Sequence, residues 1–220
     1  MTLTRPVEID YDEVLRYLKS KGDQTLISDI AAVRGELSRV ISPAAAAVCF
    51  PLEWREGSLF CGELELPGKS IAEHFKGCDS CIALAVTLGF EADRMISTLG
   101  FTDPYRALIA DACATAAVED LADMMTLSAR EIFGEGKRIT YRFSPGYGDL
   151  PLALQPKLLA LVDARRMLGL SVSNSMLLSP IKSVTAFIGL QQGECKDNLV
   201  RHDCRSCFMK NRCQFSEFNK

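Results

Sequence analysis

Over the first forty positions, apolar residues recur at helical spacing. Tyr11, Val14, Leu15 and Leu18 fall on one helix face, and Asp10 with Glu13 has the spacing of a capping box at its start. Gly22 is the expected stop. Ile30, Val33, Leu37 and Val40 repeat the spacing of three and four, which predicts a second helix ending before Pro43. The period then shortens. "VCFPLEW" is apolar and aromatic, and in "SLFCGELELPG" Phe60, Leu64 and Leu66 share one strand face while Glu63 and Glu65 take the other.

Longer apolar runs follow. "SIAEHF" and "CIALAVTLGFEADRMISTL" predict helices, with "CDSC" at Cys78 to Cys81 as a helix start carrying incidental thiols. Pro104 suits the first turn of a long helix capped by Thr102 or Asp103 and running to Gly134. Its middle is rich in alanine, so another backbone can come close. "RITYRF" predicts a strand leading into a Pro-Gly corner. "PKLLALVDARRMLG" predicts a helix with proline at its start and glycine at its stop. "SVSNSMLLSPIKSVTAFIGL" predicts two strands joined through Ser179-Pro180. Helices and strands come in blocks rather than in alternation. The expected class is therefore α+β, with a largely antiparallel twisted sheet and several packed helices. Composition breaks near Gln191. This sets a single domain over residues 1–190, opening with a helical part at 1–42, against a Cys-rich tail at 191–220.

The totals support a real core: 48% of the 220 residues are hydrophobic and 24% are charged. A net charge of −3 advertises no basic surface for nucleic acid. Apolar runs such as "PAAAAVCFPL" are too short to span a bilayer, and "MTLTRPVEIDYDEV" lacks a basic-then-apolar export signal. A cytoplasmic protein is expected. Its nine cysteines are then thiols or metal ligands rather than staples. Cys49, Cys61, Cys78, Cys81 and Cys113 lie in apolar stretches and read as buried, inert thiols. Cys195, Cys204, Cys207 and Cys213 form C-x8-C-x2-C-x5-C in the tail. A C-x2-C pair can hold one centre from a tight turn, and two further thiolates complete four ligands for zinc or an iron–sulfur cluster. Free thiols and disulfides are the alternatives. His202 can replace one cysteine, and Lys196, Arg201, Arg205, Lys210 and Arg212 offset thiolate charge. His74 reads as a surface or core-edge residue.

The densest chemistry lies in "RFSPGYGD", Arg142 to Asp149. A Pro-Gly turn needs no function to explain it. The same residues nevertheless suit a ligand. Pro145 forces Ser144 into an extended conformation, and Gly146 can take positive φ and leave its backbone approachable. Arg142 offers a planar fork for a carboxylate, and Tyr147 adds an aromatic face and a hydroxyl. Together they fit an amino-acid-like ligand bearing a flat ring.

"RFSPGY" is similar to the R-x-x-x-G-Y motif of the activation domain of cobalamin-dependent methionine synthase, which binds S-adenosylmethionine. "KLLALVDARRMLGLSVSNSMLLSPIKSVTAFIGL" resembles the helix and two-strand segment that follows the motif in that family. "DACATAAVEDLADMM" resembles the long helix before it, whose acidic residues face the ligand. The likeness covers roughly residues 78 to 190. It implies that Arg142 holds the methionyl carboxylate or a nearby oxygen, that main-chain groups at Ser144 meet the adenine, and that Tyr147 closes on the ligand beside Gly146. It implies an acid near the ammonium or sulfonium, at Glu119 or, in another helix register, at Asp120 or Asp123.

Two departures qualify the likeness. "GDLPLALQP" differs from the family after the tyrosine, and the chain has no corrinoid-, folate- or homocysteine-binding domain. The implied function is reductive methylation of a corrinoid on a separate partner, a cobalamin-binding protein or a short methionine synthase, with no side chain acting as acid or base. A non-catalytic metal-binding interaction module, and an iron–sulfur electron donor to a corrinoid protein, are the competing readings.

Overall fold

The computed structural model describes residues 3–20, 23–134 and 136–193. Helix α1, Tyr11–Tyr17, starts where the sequence places it: the Asp10 carboxylate accepts the Glu13 N–H at 3.0 Å. It ends before Gly22, which lies outside the described residues. Helix α2, Ile27–Val40, buries Ile30, Val33 and Leu37 as their spacing requires. Strands β1 (Ala44–Arg55), β2 (Ser58–Cys61) and β3 (Leu64–Glu65) form a meander, followed by the short helix α3, Lys69–His74.

The next segment departs from expectation. Cys78–Thr87 is a strand, β4, not a helix, and "CDSC" opens that strand across an irregularity between Cys78 and Ser80. Ile82, Leu84 and Val86 enter one core while Cys81, Ala83 and Ala85 enter another. A strand buried on both faces shows no polar alternation, so its run of apolar residues imitates a buried helix. The helix begins only afterwards, as α4, Phe90–Thr102. Helix α5, Pro104–Phe133, matches its predicted limits. The Asp103 side chain caps it at the Arg106 N–H, Pro104 opens it and Gly134 follows it. Its 30 residues run about 45 Å.

Strand β5 is short, Lys137–Ile139, because at Thr140 the side-chain hydroxyl, not the main chain, accepts the Gly189 N–H at 2.9 Å. The predicted single helix after the corner is two, α6 (Gln155–Leu161) and α7 (Ala164–Leu168). Asp163 stands between them with φ 49° and ψ 42°, a left-handed geometry that cannot continue a helix. Gly169 stops α7 as expected. The last segment holds a small hairpin, β6 (Ser171–Val172) with β7 (Leu178–Ser179), and then one long strand, β8, Ser183–Gln192. The cis Ser179-Pro180 peptide lies between β7 and β8.

The chain is therefore α+β. Its main sheet runs β3-β2-β1-β4-β8-β5 with every pair antiparallel. Helices α1, α2, α4 and α5 supply the core on one face; α3, α6 and α7 supply it on the other. No helix among the described residues is long and apolar enough to cross a membrane.

Between β4 and the edge strand β5, β8 is tightly drawn against its neighbours. A Cβ added at Gly189 would sit 2.6 Å from Cys78 Sγ, 2.9 Å from Phe75 Cδ1 and 3.1 Å from Thr140 Cγ2. Gly189→Ala is expected to cost about 1–3 kcal/mol by overpacking, read as a lower denaturant midpoint at unchanged slope.

Candidate ligand-binding site

The corner grows directly out of the sheet. Phe143 exchanges both main-chain hydrogen bonds with Phe187 of β8, at 2.8 and 2.9 Å. The chain then turns. The Tyr147 N–H donates to Ser144 O at 3.0 Å, and Gly146 takes φ 92°, the left-handed value a Pro-Gly turn of this kind requires. Ser144 is half-buried, and its N–H donates to no described residue. Tyr147 is exposed, its ring edge-on to Phe143 at 6.2 Å.

The acid that closes the motif serves the fold. Asp149 accepts the N–H groups of Lys69 and Ser70 at 2.7 and 3.0 Å, fastening the corner to the first turn of α3. Those two backbone donors hold its carboxyl below the usual range. His74, at the other end of α3, meets Tyr141 O through Nε2 at 2.8 Å and lies against Phe143 at 5.0 Å. It is a core-edge residue, as its sequence context suggests.

Arg142 points the other way, across to α5. Its Nη2 donates to Glu119 Oε2 at 2.8 Å, and its Nη1 to Asp123 Oδ1 at 2.6 Å and Thr126 Oγ1 at 3.4 Å. The Arg142 side chain is 16% exposed, Asp123 25% and Glu119 45%. Two carboxylates against one guanidinium leave a formal charge of −1. Glu119 and Asp123 are one turn apart on α5, so the fork of Arg142 spans both.

Asp120 is not part of this group. It accepts Arg5 Nη1 and Nη2 at 2.8 and 2.5 Å and the Glu8 N–H at 2.8 Å, pinning the N-terminal segment to α5. The structure thus brings Arg142, Glu119 and Asp123 together and assigns Asp120 a structural tie. Two neighbours were not anticipated. Thr126 follows Asp123 by three positions and Glu119 by seven, a spacing that could have shown it. Tyr17, on α1, gave no such signal. Burial, and then the Glu119 charge, push its phenol above its ordinary range.

Beside this group the outer side of β8 is only partly paired, and Thr185 and Ala186 there are buried. Strand β5 covers Leu190 to Gln192 of β8 on its outer side and Phe143 covers Phe187 there; Ser183 to Ala186 pair with β4 on the inner side, and no described strand lies along their outer side. Because Phe187 directs its main-chain groups outward to Phe143, the same alternation directs those of Thr185 outward too. Two grooves lie away from the corner. One of about 420 Å³ lies between α2 and α4 at Glu36, Arg39, Met95 and Leu99, and one of about 410 Å³ lies at the end of α5 near Arg130 and Gly134.

Cys61, Cys81 and Cys113 are buried, and Cys49 and Cys78 half-buried. Burial pushes the Cys113 thiol up to about 12 and that of Cys78 to about 11, so both stay protonated and unreactive. No group of three or more His, Cys, Asp or Glu side chains among the described residues could hold a metal. Cys195, Cys204, Cys207, Cys213 and His202 lie outside the described residues.

No protein-family model matches the chain, and no curated protein matches it. Among solved structures it is similar to a crystal structure of the MetH reactivation domain bound to AdoHcy, with a TM-score of 0.64 over 88% of this chain and 73% of that chain. The two share 17% sequence identity, and what they have in common is the fold.

Proposed function

We propose that the chain binds S-adenosylmethionine at the Arg142 corner and supports reductive methylation of a corrinoid carried by a separate protein. The observation that carries this reading is the anionic group of Glu119, Asp123 and Arg142, with Arg142 two residues before the Ser144–Tyr147 turn. The likeness of fold to a domain bound to AdoHcy supports it.

Each part has a physical task. The net negative charge attracts the sulfonium and ammonium of the ligand. Arg142 aligns the two carboxylates and offsets their mutual repulsion, so in this reading it orients the acids that meet the ligand. The Ser144 N–H is a polar partner for a flat heterocycle, and the exposed Tyr147 ring can cover it. Methyl transfer then needs alignment more than acid–base help. The methyl leaves the sulfonium sulfur for cobalt, the sulfonium becomes a thioether, and the reducing electron comes from a separate donor. Holding the methyl in line is the contribution a shallow, charged edge can make.

Calorimetry with S-adenosylmethionine and S-adenosylhomocysteine tests the first half. Saturable binding is expected, weakened about tenfold in Glu119→Gln for the sulfonium ligand and less for the uncharged thioether. Absence of heat with either ligand would leave a folded scaffold and overturn the reading.

A further inference from the structure

The acid group favours the cationic end of S-adenosylmethionine and leaves the ligand's carboxylate without a partner there. Arg142 is already engaged by two carboxylates. A second cation reaches α5 from the residue that leads into β8. Lys182, immediately before β8, extends its ammonium to within 2.8 Å of Asp111 Oδ1, 2.9 Å of Thr115 Oγ1 and 3.2 Å of Asp111 O. Its side chain is 12% exposed, so the charge is held in place, whereas Asp111 is 55% exposed.

The spacing fits the ligand. Thr115 precedes Glu119 by four residues, about 6 Å along the helix. Four bonds of about 1.5 Å separate the carboxylate carbon of S-adenosylmethionine from its sulfur, a span of about 5 Å. The stretch of β8 from Ser183 to Ala186, which has no described strand on its outer side, begins beside Lys182 and runs toward Phe187 and the corner. Asp111 itself shows that a carboxylate fits against the ammonium. Its ion pair is largely solvated on the acid's side, so exchanging one carboxylate for another costs little.

We propose that Lys182 receives the carboxylate of S-adenosylmethionine, which displaces the half-exposed Asp111 side chain while Glu119 and Asp123 face the sulfonium. This rests on the function proposed above and adds a residue to it. Asp111 is then a stand-in that competes with the ligand, and Thr115 keeps the ammonium aimed when Asp111 leaves.

The experiment compares S-adenosylmethionine with its decarboxylated analogue by calorimetry. Lys182→Met is expected to weaken S-adenosylmethionine about 10- to 100-fold, the worth of one charge-assisted hydrogen bond, and to leave the decarboxylated analogue within about twofold. Lys182→Arg restores most of the loss. Asp111→Asn tightens S-adenosylmethionine, because a competitor is gone. A residue that only ties β8 to α5 would weaken both ligands equally, and Asp111→Asn would then weaken rather than tighten binding; either result overturns the assignment. Wild-type protein that binds neither ligand removes the proposed function itself. Wild-type protein that binds both, with Lys182→Met unchanged, removes only Lys182. Should Lys182→Met fail to fold, Lys182→Arg and Asp111→Asn still decide.

Discussion

Arg142→Met is expected to lower stability by about 2 kcal/mol and to abolish ligand binding. Its guanidinium is the tie between the segment that leads into the corner and two carboxylates of α5. Removing one partner of a buried ion pair costs about 3–5 kcal/mol, because the remaining charge is left without compensation. Here the cost is smaller. Glu119 is nearly half exposed and finds water, so most of the penalty falls on Asp123 and on the repulsion between two like charges one turn apart. For a chain of this size about 2 kcal/mol is a fall of about 4–8 °C in melting temperature. Adding Asp123→Asn is expected to return part of that loss, since it removes the less exposed of the two like charges. Binding does not return, because the acids that meet the ligand are no longer aligned. A melting temperature unchanged in Arg142→Met would mean that the guanidinium bears no structural weight.

The limits of α5 were legible because they are written in local chemistry. The Asp103 carboxylate accepts the capping hydrogen bond, Pro104 fits a first turn and Gly134 ends the helix, and none of these depends on a distant residue. The Pro-Gly corner was legible for the same reason. Strand β4 was not, since two cores enclose it and erase the alternation that marks a half-buried strand. Nor was the break at Asp163, where an ordinary acid takes a left-handed geometry between two short helices.

The site shows the same division. Arg142, Ser144, Gly146 and Tyr147 lie together in sequence and in space. Which acid meets Arg142 is a question of register between α5 and a strand laid across it. Asp120 is adjacent to Glu119 in sequence but about 100° away around the helix, where Arg5, 115 residues distant in the chain, takes it instead. Lys182 had no motif around it. Its relation to Asp111 and Thr115 exists only because β8 returns beside α5.

Phe187→Ala is expected to have the larger effect on the fold, about 3–5 kcal/mol, or a fall of about 6–20 °C in melting temperature. Phe187 is among the largest fully buried side chains and lies in the core shared with Phe143, α6 and α7. The neighbouring positions Ala83, Ala85 and Ala46 are small, so little side-chain volume is at hand to fill the space its ring would leave. Its direct partner on β4, Ala83, is too short to reach into the space, which places the cost toward the upper part of the range. The change also reaches the site. Phe187 and Phe143 hold each other through two main-chain hydrogen bonds, and Ser144 begins the turn one residue later. A slackened bridge therefore moves the corner away from Arg142's partners on α5. Phe187→Leu, which keeps most of the volume, is expected to lose less stability and to retain binding. The discriminating measurement is thermal unfolding of both variants with and without S-adenosylhomocysteine. Ligand that raises the melting temperature of wild type and Phe187→Leu, but not of Phe187→Ala, ties the packing of β8 to the geometry of the corner. Equal shifts in all three would separate the core from the site.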